Sequence, residues 1–243
     1  AMVKAHYAGL KVISHCEDLE IIDGGIINKG KISQQLGVKG MSRLSEDIIT
    51  ARELAIAQDT QMPIHIAHVS TKGSVNTIRG NTHIGVMCTC ETAPHYFMMT
   101  DEKLLSRDAD YRMNPPLREE DDVMAITAAI TDGTIDCIVT DHAPHSAEEK
   151  SRPIPSAPSG IIGLETSLAL GITSLVRPGH LTLNQLLEKM TVNPAHLYHL
   201  PSGKLEPGAP ADLVLFDPNE KWIPTEYLSL IHISEPTRHS LIS

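Results

Sequence analysis

The sequence predicts a parallel α/β fold in which part of a TIM-type (β/α) barrel carries the chemistry. Three observations point there. First, four short apolar runs stand out: LKVISH (10–15), PIHIAHVS (63–70), GVMCTCETAPHY (85–96) and DCIVTDH (136–142). Each is rich in Val, Ile or Cys, as a strand buried on both faces should be. Second, helix-like segments lie between and after them, and strand–helix alternation argues for parallel βα units. Third, His15, His68, the region of His95, and Asp141 all fall at the C-terminal ends of these runs. A barrel gathers such ends around one mouth, whereas an open doubly wound sheet spreads them along a line.

The helical segments can be justified in turn. Residues 45–59 begin with Ser45 as a plausible N-cap and carry Ile48, Ile49, Leu54 and Ala57 at mixed three- and four-residue spacing. Residues 118–132 place acids in the first turn, where the helix dipole favours them, and Gly133 follows the last turn. Residues 163–176 and 182–191 also read as helical. After Pro201 the texture becomes rich in turn residues, and 212–216 reads as a short strand opening a C-terminal β element. The division expected is therefore 1–200 for the barrel part, 201–227 for the start of a β-sandwich segment, and 228–243 as a non-native tail. That last expectation rests on LSLIHISEPTR (228–238), which back-translates with ordinary codons into a common transposon-type sequencing adaptor.

Composition narrows the function. The chain has 243 residues, 41% of them hydrophobic, with only 3% aromatic, so aliphatic side chains must build the core. A formal charge of −10 argues against nucleic acid as a partner, because phosphate binding needs a basic surface. No apolar stretch approaches the ~20 residues of a membrane span. The opening AMVKAHYAGLKVISH carries no leader and reads as entering mid-helix. Cys16, Cys88, Cys90 and Cys137 show no CxxC spacing and read as reduced thiols of a cytoplasmic protein. Cys88 and Cys90 share a strand face and could offer soft ligands, but nothing nearby completes four.

A lone histidine is more often a satisfied core or surface group than a ligand. Three metal-competent groups ending three separate strands change those odds. Imidazole nitrogen and carboxylate oxygen suit zinc and similar divalent ions, and a desolvated Asp141 needs a positive partner to stay ionised. Strand alternation turns His65 away from the face of His68, and His142 away from Asp141. His145 follows Pro144 in a loop that can reach over the mouth, where it suits a substrate carboxylate. In RMNPPLR (112–118), Pro115 and Pro116 stiffen the backbone that presents Asn114, whose amide both donates and accepts. In PSAPSGIIGLE (155–165), Gly160 and Gly163 permit close backbone approach to a ligand or merely shape a loop.

Together, HCED, IAHVST, ETAPHY, MNPPLR, TDHAPH and APSGIIGLET, in this order, resemble the dihydroorotases of the amidohydrolase superfamily, the longer bacterial type. The resemblance runs from about residue 1 to Tyr227. It implies barrel strands five to eight, with His15 and His68 as zinc ligands ending strands five and six. It implies Asp141 at the end of strand eight, as both metal ligand and proton-transfer group. Asn114, His145, Ser159 and Gly160 would contact the substrate, although Ser159 is smaller than the residue often found there. The implied reaction is reversible hydrolysis of dihydroorotate to N-carbamoyl-L-aspartate, in pyrimidine synthesis, with two divalent ions. Hydantoinase or allantoinase chemistry is the alternative, as is a non-catalytic scaffold subunit of a transcarbamoylase.

The chain departs from that pattern in one respect. The family's His-x-His pair, adjacent arginine and bridging acid or carboxylated lysine are not found. The expectation is a C-terminal fragment: a half barrel with open edges and an exposed aliphatic inner face. Alone, it should be inactive, and should aggregate or form a homodimer that recloses a barrel.

Overall fold

The computed structural model describes residues 1–221. Helix α1 (Met2–Tyr7) leads into strand β1 (Ile13–Ser14) and helix α2 (Leu19–Ile22). Strand β2 (Ile27–Asn28), helix α3 (Lys31–Leu36) and strand β3 (Gly40–Met41) form an excursion before helix α4 (Leu44–Thr60). Strand β4 (Ile64–Ile66), helix α5 (Lys72–His83), strand β5 (Cys88–Thr92) and helix α6 (Pro94–Met98) follow. Two 3₁₀ turns precede helix α7 (Glu120–Thr131) and strand β6 (Cys137–Ile138). Helices α8 (Ala147–Lys150), α9 (Ser167–Gly171), α10 (Leu183–Met190) and α11 (Val192–Tyr198) complete the described chain, a π-helical turn, Ile172–Val176, continuing α9.

The main sheet has the order β1-β4-β5-β6, every pair parallel. Sequential order without reversal is that of a barrel wall, since a doubly wound sheet changes direction at a switch point. Each apolar run from the sequence supplies one of these strands. Register then assigns the faces. Ile13 pairs with His65, His65 with Thr89, and Glu91 with Cys137, so these side chains share one face. The other face carries Ile64, Ile66, Cys90 and Ile138, packed on Leu54 and Ala57 of α4, Val75 and Ile78 of α5, and Ile126 and Ile130 of α7. The core is aliphatic, as the scarcity of aromatics requires.

The inner face differs from the aliphatic wall expected. His65, fully buried, bonds Thr89 Oγ1 through Nδ1 at 2.8 Å. Its Nε2 lies 3.1 Å from Glu91 Oε2, close but not aligned as a hydrogen bond. Tyr198 of α11 packs edge-on against His65, with ring centroids 5.9 Å apart. The wall is thus polar and partly covered, and Ile13 is its exposed aliphatic residue, at 50%.

Helix ends follow local chemistry. Asp18 accepts from the N–H groups of Glu20 and Ile21, and Thr182 forms a capping box with Gln185. Helix α7 carries Glu120, Asp121 and Asp122 in its first turn, and Gly133 after it takes φ +86°. Ser45, expected as a cap, lies inside α4, and its hydroxyl donates to the Ser42 carbonyl. The N-cap position is Arg43, whose side chain makes no capping bond, and Ser42 Oγ accepts from Leu44 N–H at 3.3 Å just before the helix. The strand expected at 212–216 does not form: 211–217 has no regular structure, and Leu213, Val214 and Leu215 are exposed. A strand needs a ladder partner, and none pairs with it among the described residues. The remainder of the expected β-sandwich start and the adaptor-like 228–238 lie outside the described residues.

Candidate active site

Three strand ends meet at one rim. His15 follows β1 directly, and His68 lies two residues past β4. Because β1 and β4 are paired neighbours, their C-terminal ends converge, and His15 Nδ1 stands 2.7 Å from His68 Nε2. The rings cross at 75° with centroids 4.6 Å apart. His68 takes φ +34° and Asp141 takes φ +47°, a left-handed backbone that costs a non-glycine residue energy and clusters at functional sites. Burial, and then the charge of neighbouring His15, hold His68 below the usual histidine range. Burial pushes the Asp141 carboxyl up, and the nearby His68 and His15 charges oppose that rise.

His68 Nδ1 is buried with no hydrogen-bond partner. One of the two facing nitrogens, His15 Nδ1 or His68 Nε2, carries the proton of their contact, and a cation held between them would displace it. The outer nitrogen of His15, Nε2, lies 3.3 Å from Glu17 Oε2. The other carboxylate oxygen, Glu17 Oε1, accepts from Asn114 Nδ2 at 2.8 Å. Asn114 itself precedes a cis peptide bond to Pro115.

His95 closes the rim from the first turn of α6. It is 4% exposed, and its Nε2 has no hydrogen-bond partner, standing 3.9 Å from Asp141 Oδ2. Burial first, and His68 second, push its pKa down to about 3, so this imidazole is neutral at pH 7. Sequence reasoning noted the region of His95 without giving it a role. Its signal was the ETAPHY run at the end of the β5 segment.

Below the rim, a buried network fixes the loop after β4. Glu46 of α4 accepts from the N–H groups of Ser70 (3.0 Å) and Thr71 (3.1 Å) and from Arg118 Nη2 (3.2 Å). Arg118 also reaches Ser70 Oγ and Asn28 Oδ1, and Asn28 in turn donates to Asp101. Burial alone would raise the Glu46 carboxyl, but Arg118 and the Ser70 bonds outweigh it and hold it below the usual range. Sequence reading missed Glu46 and did not single out Arg118.

The substrate-side loops are clamped separately. Lys150 Nζ donates to the carbonyls of Arg112, Pro158 and Gly160, at 3.2, 3.2 and 2.8 Å. Arg112 reaches the carbonyls of Ile154 and Ala157. His145 Nε2–H donates to the Ser159 carbonyl at 2.9 Å, which joins two expected substrate contacts to each other. Gly160 takes φ +155°, and a Cβ there would fall against the Ala143 carbonyl oxygen. Glycine is therefore needed at 160 for the loop's own packing. His145, Lys150, Gly160 and Tyr111 line a cavity of ≈ 590 Å³ beside the rim. His142 turns away from it, its Nδ1 accepting from Gly163 N–H.

Among the described residues, no group of three or more His, Cys, Asp or Glu side chains closes into a set able to hold a metal ion. The pair His15 and His68 comes nearest. Two imidazole nitrogens on one tetrahedral ion stand about 3.3 Å apart, so a small opening of the 2.7 Å contact would admit one. Imidazole nitrogen and carboxylate oxygen are donor types that zinc accepts, while their placement among the described residues falls short of a three-ligand set.

A parallel barrel wall with metal-competent residues on its strand ends defines a class. The chain belongs to the amidohydrolase family, whose model matches residues 19–237, a span that reaches into the adaptor-like stretch. Two curated relatives carry the name dihydroorotase. That of Trichlorobacter lovleyi is 51% identical over 218 residues, 90% of this chain and 51% of the relative. That of Acetivibrio thermocellus is 49% identical over 214 residues, 88% of this chain and 50% of the relative. The chain thus spans about half the length of the curated relatives it matches. The solved dihydropyrimidinase of Brevibacillus agri superposes with a TM-score of 0.76 at 23% identity, covering 86% of this chain and 48% of that one, a likeness in fold.

Proposed function

We propose that this chain supplies the strand-end half of a dihydroorotase active site, hydrolysing the cyclic amide of dihydroorotate to N-carbamoyl-L-aspartate and reversing that reaction. The observation that carries the reading is the meeting of His15 and His68 at 2.7 Å, on neighbouring parallel strands, with Asp141 at the same rim. The names of the two relatives point to the same chemistry. His15 and His68 would hold a divalent cation, zinc by donor type, with Asp141 beside it. When bound, the cation polarises the scissile carbonyl and makes water acidic.

The chain's own residues do the rest. Asp141, partly desolvated, takes a proton from the attacking water and returns it to the departing ring nitrogen, a transfer of the general acid–base kind. Asn114 reads the ring amide, with its orientation set by Glu17. His145 faces the substrate carboxylate, and the Ser159–Gly160 backbone lines the ring, on a loop held by Lys150. Neutral His95 helps exclude water and adds no competing charge.

A chimera tests this. This chain replaces the matching half of the Trichlorobacter lovleyi relative, and turnover of dihydroorotate is compared with that of hydantoin. Preference for dihydroorotate is expected. Preference for hydantoin would move the assignment to another cyclic amidohydrolase, and no turnover of either by a folded chimera would favour a scaffold role.

A further inference from the structure

Two neighbouring cations beside the rim have no acid to answer them. Lys150 Nζ uses its three N–H donors on the carbonyls of Arg112, Pro158 and Gly160. Arg112 Nη1 reaches the carbonyls of Ile154 and Ala157, and its buried Nε has no hydrogen-bond partner. Arg43, Arg79 and Arg118, by contrast, each sit on a carboxylate. Among the described residues, no carboxylate pairs with Lys150 or Arg112. Burial holds both groups below their usual ranges; at Lys150, Asp110 and Asp108 oppose that fall and Arg112 adds to it.

Carbonyl dipoles satisfy the N–H groups and leave the net charge in place. Lys150 lines the cavity of ≈ 590 Å³ together with His145, Gly160, Ile161 and Ile162. Asp108 and Asp110 line it as well, but both are exposed, whereas Lys150 and Arg112 are half-buried. Water weakens the field of an exposed charge more, with an effective dielectric constant of about 80 against about 20 near a protein surface. The positive side therefore prevails in this cavity, in a chain whose formal charge is −10.

We propose that Lys150, reinforced by Arg112, is a specificity-determining residue whose unneutralised charge makes this cavity select ligands bearing a carboxylate over neutral cyclic amides. With all three N–H groups engaged, Lys150 acts as a charge and gives the ligand no hydrogen bond. The identity of the ligand rests on the dihydroorotase reading; the preference for an anion rests on the cavity alone.

The full chain is titrated, with binding followed by NMR, against dihydroorotate, against dihydrouracil, which is the same ring without the carboxylate, and against succinate. The wild type is expected to prefer dihydroorotate to dihydrouracil. Lys150→Met is expected to weaken dihydroorotate and succinate roughly 10-fold and to leave dihydrouracil unchanged, because a neutral ligand does not sense the lost charge. Lys150→Gln, which keeps an amide donor for the carbonyls, is the second neutral variant, and the same loss is expected. Lys150→Arg keeps the charge and is expected to keep the preference. A residue that only shaped the loop would change both ring ligands together. Equal affinity of the wild type for the two rings, an unchanged preference in the folded neutral variants, or binding of none of the three ligands overturns the proposal. Succinate binding that depends on Lys150, with neither ring bound, would keep the anion preference and sink the dihydroorotase reading instead.

Discussion

At the scale of single residues, His68 and Asp141 share a backbone peculiarity: both take positive φ without being glycine. That conformation is sustained because the chain leaves the sheet there and turns its side chain to the rim. Asp141→Asn keeps the shape and removes the proton acceptor. In the chimera it is expected to lower turnover by roughly 10²–10⁴-fold with dihydroorotate still bound, measured by steady-state assay. Retention of most activity would take Asp141 out of the proton path. His15, His68 and Asp141 were legible in the sequence because each interrupts an apolar run at its C-terminal end. Glu17, Glu46 and Arg118 were not legible in their roles. Their partners lie 97, 24 and 72 residues away, for Glu17 with Asn114, Glu46 with Ser70, and Arg118 with Glu46, and no local spacing encodes such pairs.

At the scale of elements, the Glu46–Arg118 network joins α4, the loop after β4 and the segment that presents Asn114. Both side chains are nearly inaccessible, at 4% and 2%. Arg118→Met therefore strands a buried carboxylate and is expected to destabilise the fold by about 3–5 kcal/mol, read from urea unfolding. The pH dependence has a definite sign. Glu46 sits below its ordinary value in the folded chain, so its contribution is present above the unfolded carboxyl value of 4.5 and is lost as pH falls. Stability measured between pH 6 and pH 3 should fall, and part of that slope should vanish in Glu46→Gln. Helix α4 was legible from its apolar spacing, and α7 from the acids of its first turn and the glycine after its last. Strands β2 and β3 were not, because two residues each give no alternation to read. The short strand read at 212–216 had the right composition and no ladder partner among the described residues, which is why propensity alone misplaced it.

At the scale of the whole molecule, the sheet ends in β1 on one side, and β1 has a neighbour on one edge only among the described residues. Tyr7, Leu10 and Ile13 are exposed on and just before it. An open edge with apolar neighbours recruits another strand. Sedimentation velocity is expected to show concentration-dependent association of the chain, and a strict monomer up to high micromolar concentration would contradict this. The β6 side is better protected, since Lys189 donates to Ile135 O and Asn193 to Asp136 O. The thiols report the packing of the layers. Burial pushes Cys137 and Cys88 up to about 12 and Cys16 to about 11, and holds Cys90 well above the ordinary thiol value. All four should react slowly with a thiol reagent at pH 8 in the native protein and rapidly once it unfolds.

Two imidazoles from neighbouring strands, His15 and His68, are expected to share one cation beside Asp141. A crystal of the chain soaked in Zn²⁺, with anomalous differences collected at the zinc edge, tests it most directly. A peak about 2.0–2.1 Å from both His15 Nδ1 and His68 Nε2 is predicted. Zinc bound only elsewhere, with the two rings turned away from each other, would contradict the account.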